Sequence, residues 1–178
     1  MTVYIVLFRG VGGATQLPVK PLREKLTEAG FDKVATYINS GNAVLRSRSG
    51  PENVASKVAE VCAREFGFEK DVHVRTSEEW RKLIANNPFP NATATPKFLH
   101  AAVLASEPEK GKVQSLRTFV SEGEGIEIVG HVAYLHTPHG FGTSKLAEKF
   151  DKGIGVANTA RNWNTVLKLM DLAEAAGH

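Results

Sequence analysis

Val34-Ala-Thr-Tyr-Ile38, Asn39-Ser-Gly-Asn42 and Ala43-Val-Leu-Arg46 follow one another without a break. The outer two are short runs of strand-forming side chains, and the four residues between them are turn formers. They read as two strands joined back to back, and what flanks them decides the fold. Upstream, Val3-Tyr-Ile-Val-Leu-Phe8 is an apolar, β-branched and aromatic run with the character of a buried central strand. Between it and the hairpin, Val19, Leu22, Leu26 and Ala29 share one helical face; Pro18 or Pro21 suits the first turn, and Gly30 stops the helix. Downstream, Pro51 opens a second helix with Val54, Val58, Val61, Cys62 and Phe66 as its apolar stripe, closed by Gly67. Asp71–Arg75 is a fourth strand. The order is βαββαβ.

That order favours the ferredoxin-like arrangement, an antiparallel sheet with both helices on one face. Strand three then runs down between strands one and two. The loop leaving strand one and the turn joining strands two and three share one end of the sheet, about 10 Å apart at two strand spacings. Loop Arg9–Gly13 and turn Asn39–Asn42 are therefore expected as neighbours.

Residues 77–96 read as a connection, a short helix at Ser77–Ala85 followed by a loop. Residues 97–178 repeat the theme as βαββαα. Phe98–Leu104 is a strand and the stretch around Gly111–Val120 a helix. Glu127–Val129 and Val132–Tyr134 form a hairpin turned by Gly130-His131. Helices follow at Ser144–Lys152 and Asn162–Ala176, the last carrying Trp163, Val166, Leu167, Met170 and Ala173 on one face. Each half reads βαββα with a hairpin glycine, Gly41 or Gly130, which suggests an old duplication. The fold class is α/β (α+β): a ferredoxin-like half, 1–76, and a second, related half.

Composition narrows the function classes. The chain has 178 residues, 42% of them hydrophobic, which suits a globular protein. No apolar run approaches the roughly 20 residues of a membrane helix. The longest, Val3–Phe8, follows no basic segment and does not read as a signal peptide. The single cysteine, Cys62, excludes an internal disulfide and fits a reducing, cytoplasmic setting. It sits in mid-stripe and reads as core. Net charge is +3. Residues 1–76 hold 11 basic and 8 acidic side chains, leaving 11 of each for the remainder, so an anionic partner is expected on the first half.

Gly10-Val-Gly-Gly13 is the sharpest local signal. Glycines after a central strand let backbone N–H groups converge on phosphate or carboxylate, and Arg9 beside them suits an anion. The loop completes neither a Walker sequence nor a dinucleotide fingerprint, and a tight turn alone also explains its glycines. Asn39, Ser40, Gly41 and Asn42 are explained by turn chemistry; their expected nearness to Arg9 makes them a polar rim. In Thr159-Ala-Arg161-Asn162-Trp163, Asn162 or Thr159 suits a helix N-cap, and Arg161 beside that helix end suits an anion. The histidines give no metal set: His136-Thr-Pro-His139 has tolerable spacing but no cysteine or carboxylate partner. Sequence leaves any cofactor open. RNA recognition on this sheet needs aromatic side chains on the central strands, and Ala43–Arg46 has none.

Leu7-Phe-Arg-Gly10, Gly12-Gly13, Leu17-Pro18, Leu22-Arg23, Thr36-Tyr-Ile-Asn-Ser-Gly-Asn42, Asn87-Pro-Phe89, Ser144-Lys-Leu146 and Ala160-Arg-Asn-Trp-Asn-Thr-Val166 together resemble the bacterial domain of unknown function 1697 family. The resemblance runs in order over nearly the whole chain. It implies a cytoplasmic α/β protein with a ferredoxin-like half and implies no reaction. The family's first loop usually reads Arg-Gly-Ile-Asn-Val-Gly-Gly; here it is two residues shorter and lacks the asparagine.

The expected function is binding of a small anionic ligand, a nucleotide or phosphorylated metabolite, at the Arg9–Gly13 and Ser40–Asn42 sheet end. Candidate residues are Arg9, Gly10, Gly12, Gly13, Asn39, Ser40, Gly41, Asn42, Arg161 and Asn162. Nucleic acid is the less favoured ligand and a membrane is not expected. The alternatives are a phosphoryl or acyl-phosphate hydrolase, by analogy with acylphosphatases of the same strand order, and an interaction module without catalysis. Sequence leaves the oligomeric state open.

Overall fold

The computed structural model describes residues 1–38 and 41–178, so Asn39 and Ser40 of the candidate turn lie outside the described residues. The chain divides into two compact units, Met1–Lys82 with Lys168–His178, and Leu83–Leu167. In the first, β1 (Thr2–Phe8), α1 (Val19–Glu28), β2 (Asp32–Thr36), β3 (Asn42–Ser47), α2 (Pro51–Phe66) and β4 (Val72–Thr76) follow in order, and α3 (Ser77–Ala85) comes next. The sheet order is β2-β3-β1-β4, with every pairing antiparallel. This is the ferredoxin-like arrangement expected from the element order.

Strand alternation sorts the side chains. Tyr4, Val6 and Phe8 pack with Ala43, Leu45 and Val74 against Leu22 and Leu26 of α1 and Val54, Val58, Val61 and Cys62 of α2. The alternate residues Val3, Ile5, Leu7 and Val44 are also buried, so β1 is covered on both faces. A ten-residue helix such as α1 is too short to persist alone in water. It is held by burying Leu22 and Leu26, each contributing about 2 kcal/mol. Burial pushes the Cys62 thiol up to about 12, which leaves it an inert core side chain.

The second unit contains β5 (Leu99–Leu104), α4 (Lys110–Arg117), β6 (Gly125–Val129), β7 (Val132–His136), α5 (Lys145–Gly153) and β8 (Asn158–Asn162); α6 (Trp163–Gly177) follows in the chain and from Lys168 onward belongs to the first unit. Its order, β6-β7-β5-β8, is the first sheet repeated. The reading of this half as βαββαα therefore needs correcting: β8 is a fourth strand, and the half is βαββαβ followed by a helix. Asn-Thr-Ala-Arg-Asn shows no strand-like apolar pattern. Its place is set by backbone pairing to β5, with Asn158 bonded through Nδ2 to Asp151 and to the Val156 carbonyl.

The two frames also repeat in register. Ile5 faces Arg75 across β1–β4 as Ala101 faces Arg161 across β5–β8. Phe8 N–H donates to the Gly41 carbonyl as Leu104 N–H does to His131, both at 2.9 Å; Arg9 N–H donates to Asp71 as Ala105 N–H does to Ala157. The final helices start alike. Thr76 and Glu79 form a reciprocal capping box before Trp80, and Asn162 Oδ1 accepts from Thr165 N–H at the start of α6, choosing Asn162 over Thr159 as the cap. The shared register supports an internal duplication. Among the described residues, no helix is long and apolar enough to cross a membrane.

Gly41 is the tightest point of the first frame. Its φ is +77°, and a Cβ there would lie 2.6 Å from Val11 Cγ2 and 2.9 Å from the Phe8 carbonyl oxygen. Gly41→Ala therefore forces both left-handed backbone strain and a clash with main chain, and is expected to cost about 2–3 kcal/mol. Urea unfolding would show it as a lower midpoint with unchanged slope.

Candidate functional site

The loop leaving β1 is organised by its own backbone. Gly12 and Thr15 exchange N–H···O=C bonds at 2.7 and 3.0 Å. The Thr15 hydroxyl donates to the Gly10 carbonyl at 2.6 Å, and Gln16 Nε2 donates to the Gly13 carbonyl at 2.7 Å. Gly10, Gly12 and Gly13 all have positive φ, at 74°, 137° and 57°, conformations that most side chains resist. The carbonyls of Gly10, Gly12 and Gly13 are thus engaged from within. The N–H groups of Gly10, Val11, Gly13 and Ala14 have no acceptor among the described residues.

The neighbours expected from topology are present and closer than two strand spacings. β3 lies directly against β1, so the 2.9 Å bond from Phe8 N–H to Gly41 ties the last residue of β1, just before the loop, to the turn. On the other side, Arg9 N–H reaches the Asp71 carbonyl at 3.0 Å, and the Lys70 stem lies over Gly10, with Cγ 3.6 Å from where a Cβ would stand. Lys70 escapes sequence reasoning because nothing near it marks it; the pairing of β4 with β1 delivers it. Arg9 is half-buried and Lys70 exposed. Lys70 has no ion pair among the described residues. Ile38 is the other unforeseen feature, a β-branched residue at φ 45° with half of its surface exposed, next to the turn.

Asn42 takes a different place from the polar rim. It opens β3 opposite Leu7 and is 1% exposed. Its Nδ2 donates to the Tyr37 carbonyl, and its own carbonyl accepts from Tyr37 N–H, so it closes the turn from inside.

Arg161 and Asn162 belong to the second unit, at the end of β8. The Arg161 Nη1 donates to Thr159 Oγ1 and to the Ala160 carbonyl, both at 2.8 Å, and burial lowers its pKa to about 10. Arg75, its register equivalent, donates likewise to the Val74 carbonyl and is lowered by the same cause. Asn162 is the helix cap already described.

Fold and loop together define a protein of two repeated ferredoxin-like frames, the first ending in a polar glycine loop. A family model described as protein of unknown function (DUF1697) matches residues 1–134, and the chain belongs to that family. Among solved structures, the chain is similar to the conserved bacterial protein SP0830 from Streptococcus pneumoniae, with a TM-score of 0.76 and 19% identity. The match covers 97% of this chain and 98% of that one, so the two share a fold along their length. No curated protein matches the chain.

His100, which faces Asn162 across β5–β8, stacks on Phe141 with ring centroids 3.9 Å apart. Its Nδ1 is buried without a hydrogen-bond partner among the described residues, and burial lowers the ring from 6.5 to about 4. A lowered folded pKa means the unfolded chain takes up the proton first. The contribution is complete above pH 6.5 and is lost as pH falls towards 4. Replacing His100 by Phe keeps a ring against Phe141 and removes the titration. Denaturation across that window should show the variant losing less stability on acidification than the parent, by on the order of 2 kcal/mol.

Proposed function

We propose that the sheet end formed by Arg9–Gly13, Gly41 and Lys70 binds a small anionic ligand, a nucleotide or a phosphorylated metabolite. The observation that carries this reading is the set of loop N–H groups at Gly10, Val11, Gly13 and Ala14 without acceptors among the described residues, beside two cationic side chains. Backbone donors of this kind bind phosphate oxygens well when positive-φ glycines bend the chain into a concave loop. Lys70 adds a point charge, and Arg9 adds a planar donor set suited to two oxygens at once. The basic excess of the first 76 residues supports attraction of an anion to this half. The exposed Ile38 side chain offers an apolar surface at the same end for the uncharged part of such a ligand.

Binding without hydrolysis is the reading favoured over the phosphatase alternative. The hydrolase alternative calls on Asn39 or Asn42 to position water; the Asn42 amide is donated to the Tyr37 carbonyl, and Asn39 lies outside the described residues.

Calorimetric titration with inorganic phosphate, nucleoside mono- and diphosphates and sugar phosphates tests the proposal. At least one should bind, with affinity falling as salt rises, and Arg9→Ala or Lys70→Ala should each weaken it about tenfold, the scale of one charged hydrogen bond. Failure of the whole panel, or binding undiminished in both variants, would refute it.

A further inference from the structure

We propose that the second unit carries a separate site for a free hydrophobic α-amino acid, in the groove between α4 and the β6–β7 hairpin. The register repeat places this groove at the same end of its frame as the glycine loop occupies in the first. Ala105 stands where Arg9 stands, and Leu104 N–H meets the hairpin backbone at His131 as Phe8 N–H meets it at Gly41. The glycine loop and its arginine are replaced there by a cavity of about 400 Å³, within the size range of small-molecule sites.

The lining selects the ligand. Pro108, Val113 and Ile128 supply an apolar floor, Val113 being 8% exposed. Glu107 from the β5–α4 connection, Lys110 at the start of α4 and Gln114 one turn further on line the same space. Neither Glu107 nor Lys110 has an ion pair among the described residues. Arg117, also on the wall, is engaged with Glu127 at 3.2 Å. One unpaired anion, one unpaired cation and an amide around an aliphatic floor complement a zwitterion with an apolar side chain. Glu107 receives its ammonium, Lys110 and Gln114 its carboxylate, and Val113 and Ile128 its side chain. A phosphate ester suits this groove poorly, because Glu107 repels it and no glycine-rich loop contributes.

This inference stands apart from the anion site, and one experiment separates them. Intact protein is titrated calorimetrically with L-leucine, with N-acetyl-L-leucine, which lacks the ammonium, and with L-leucinamide, which lacks the carboxylate. L-Leucine should bind at millimolar concentration or below, and each derivative should bind about tenfold more weakly or worse. Glu107→Gln and Lys110→Gln, both exposed positions outside the core, should each weaken leucine to a similar degree while leaving the circular dichroism spectrum unchanged. Arg9→Ala should leave leucine binding intact. Methyl NMR should show Val113 and Ile128 shifting on addition of leucine. Absence of leucine binding, equal binding of N-acetyl-leucine, indifference to Glu107→Gln, or loss of binding in Arg9→Ala would each overturn the proposal.

Discussion

The backbone ladders on both sides of β1 are the constraint on which the first unit depends. β1 pairs with β3 along one edge and with β4 along the other, from Tyr4 to Leu7 on both at once. Those pairings bring the glycine loop, the Gly41 turn and the Lys70–Asp71 connection to one place, although some 60 residues of chain separate the first from the last. The burial of Val3–Phe8 on both faces makes the arrangement stiff, because any register slip would turn a buried side chain towards the wrong layer. The loop, already braced by its own Gly12–Thr15 bonds, is then held in a definite position by the strand beneath it.

The second unit keeps that ladder and changes what stands at its end. β5 occupies the role of β1, and the bonds from Leu104 and Ala105 reproduce those of Phe8 and Arg9. The conserved geometry lies in backbone pairing, while the side chains at the loop differ completely: arginine and glycines in one frame, Pro108, Lys110 and Glu107 around a groove in the other. Duplication of a frame followed by divergence of its loops is a general route to new sites, because loops tolerate change that a packed sheet does not. The equivalent arginines, Arg75 and Arg161, fit the same view, since each donates to the carbonyl just before it and is half-buried at the strand end before a capped helix.

How much of this was legible in the sequence follows from which forces placed each element. The apolar run Val3–Phe8, the helical stripes of α1 and α2 and the Gly130-His131 turn announce themselves because burial and turn chemistry act locally. β8 does not, because Asn158–Asn162 is recruited by pairing with β5 and its polar side chains are satisfied by neighbours such as Asp151. At the candidate site, the nearness of Arg9–Gly13 to Gly41 was deducible from topology. The inward position of Asn42 was not, since it depends on the register that sets it opposite Leu7. Lys70 was invisible for the same reason, its place beside Gly10 arising only when β4 joins β1.

The central claim is that the β1 exit loop presents backbone donors to an anion. An amide-resolved NMR titration with inorganic phosphate and a nucleoside diphosphate tests it most directly. The account predicts saturable downfield shifts at the amides of Gly10, Val11, Gly13 and Ala14, with Gly12 and Thr15, already bonded to one another, moving less. Shifts absent from that loop, or clustered elsewhere while it stays silent, would contradict it.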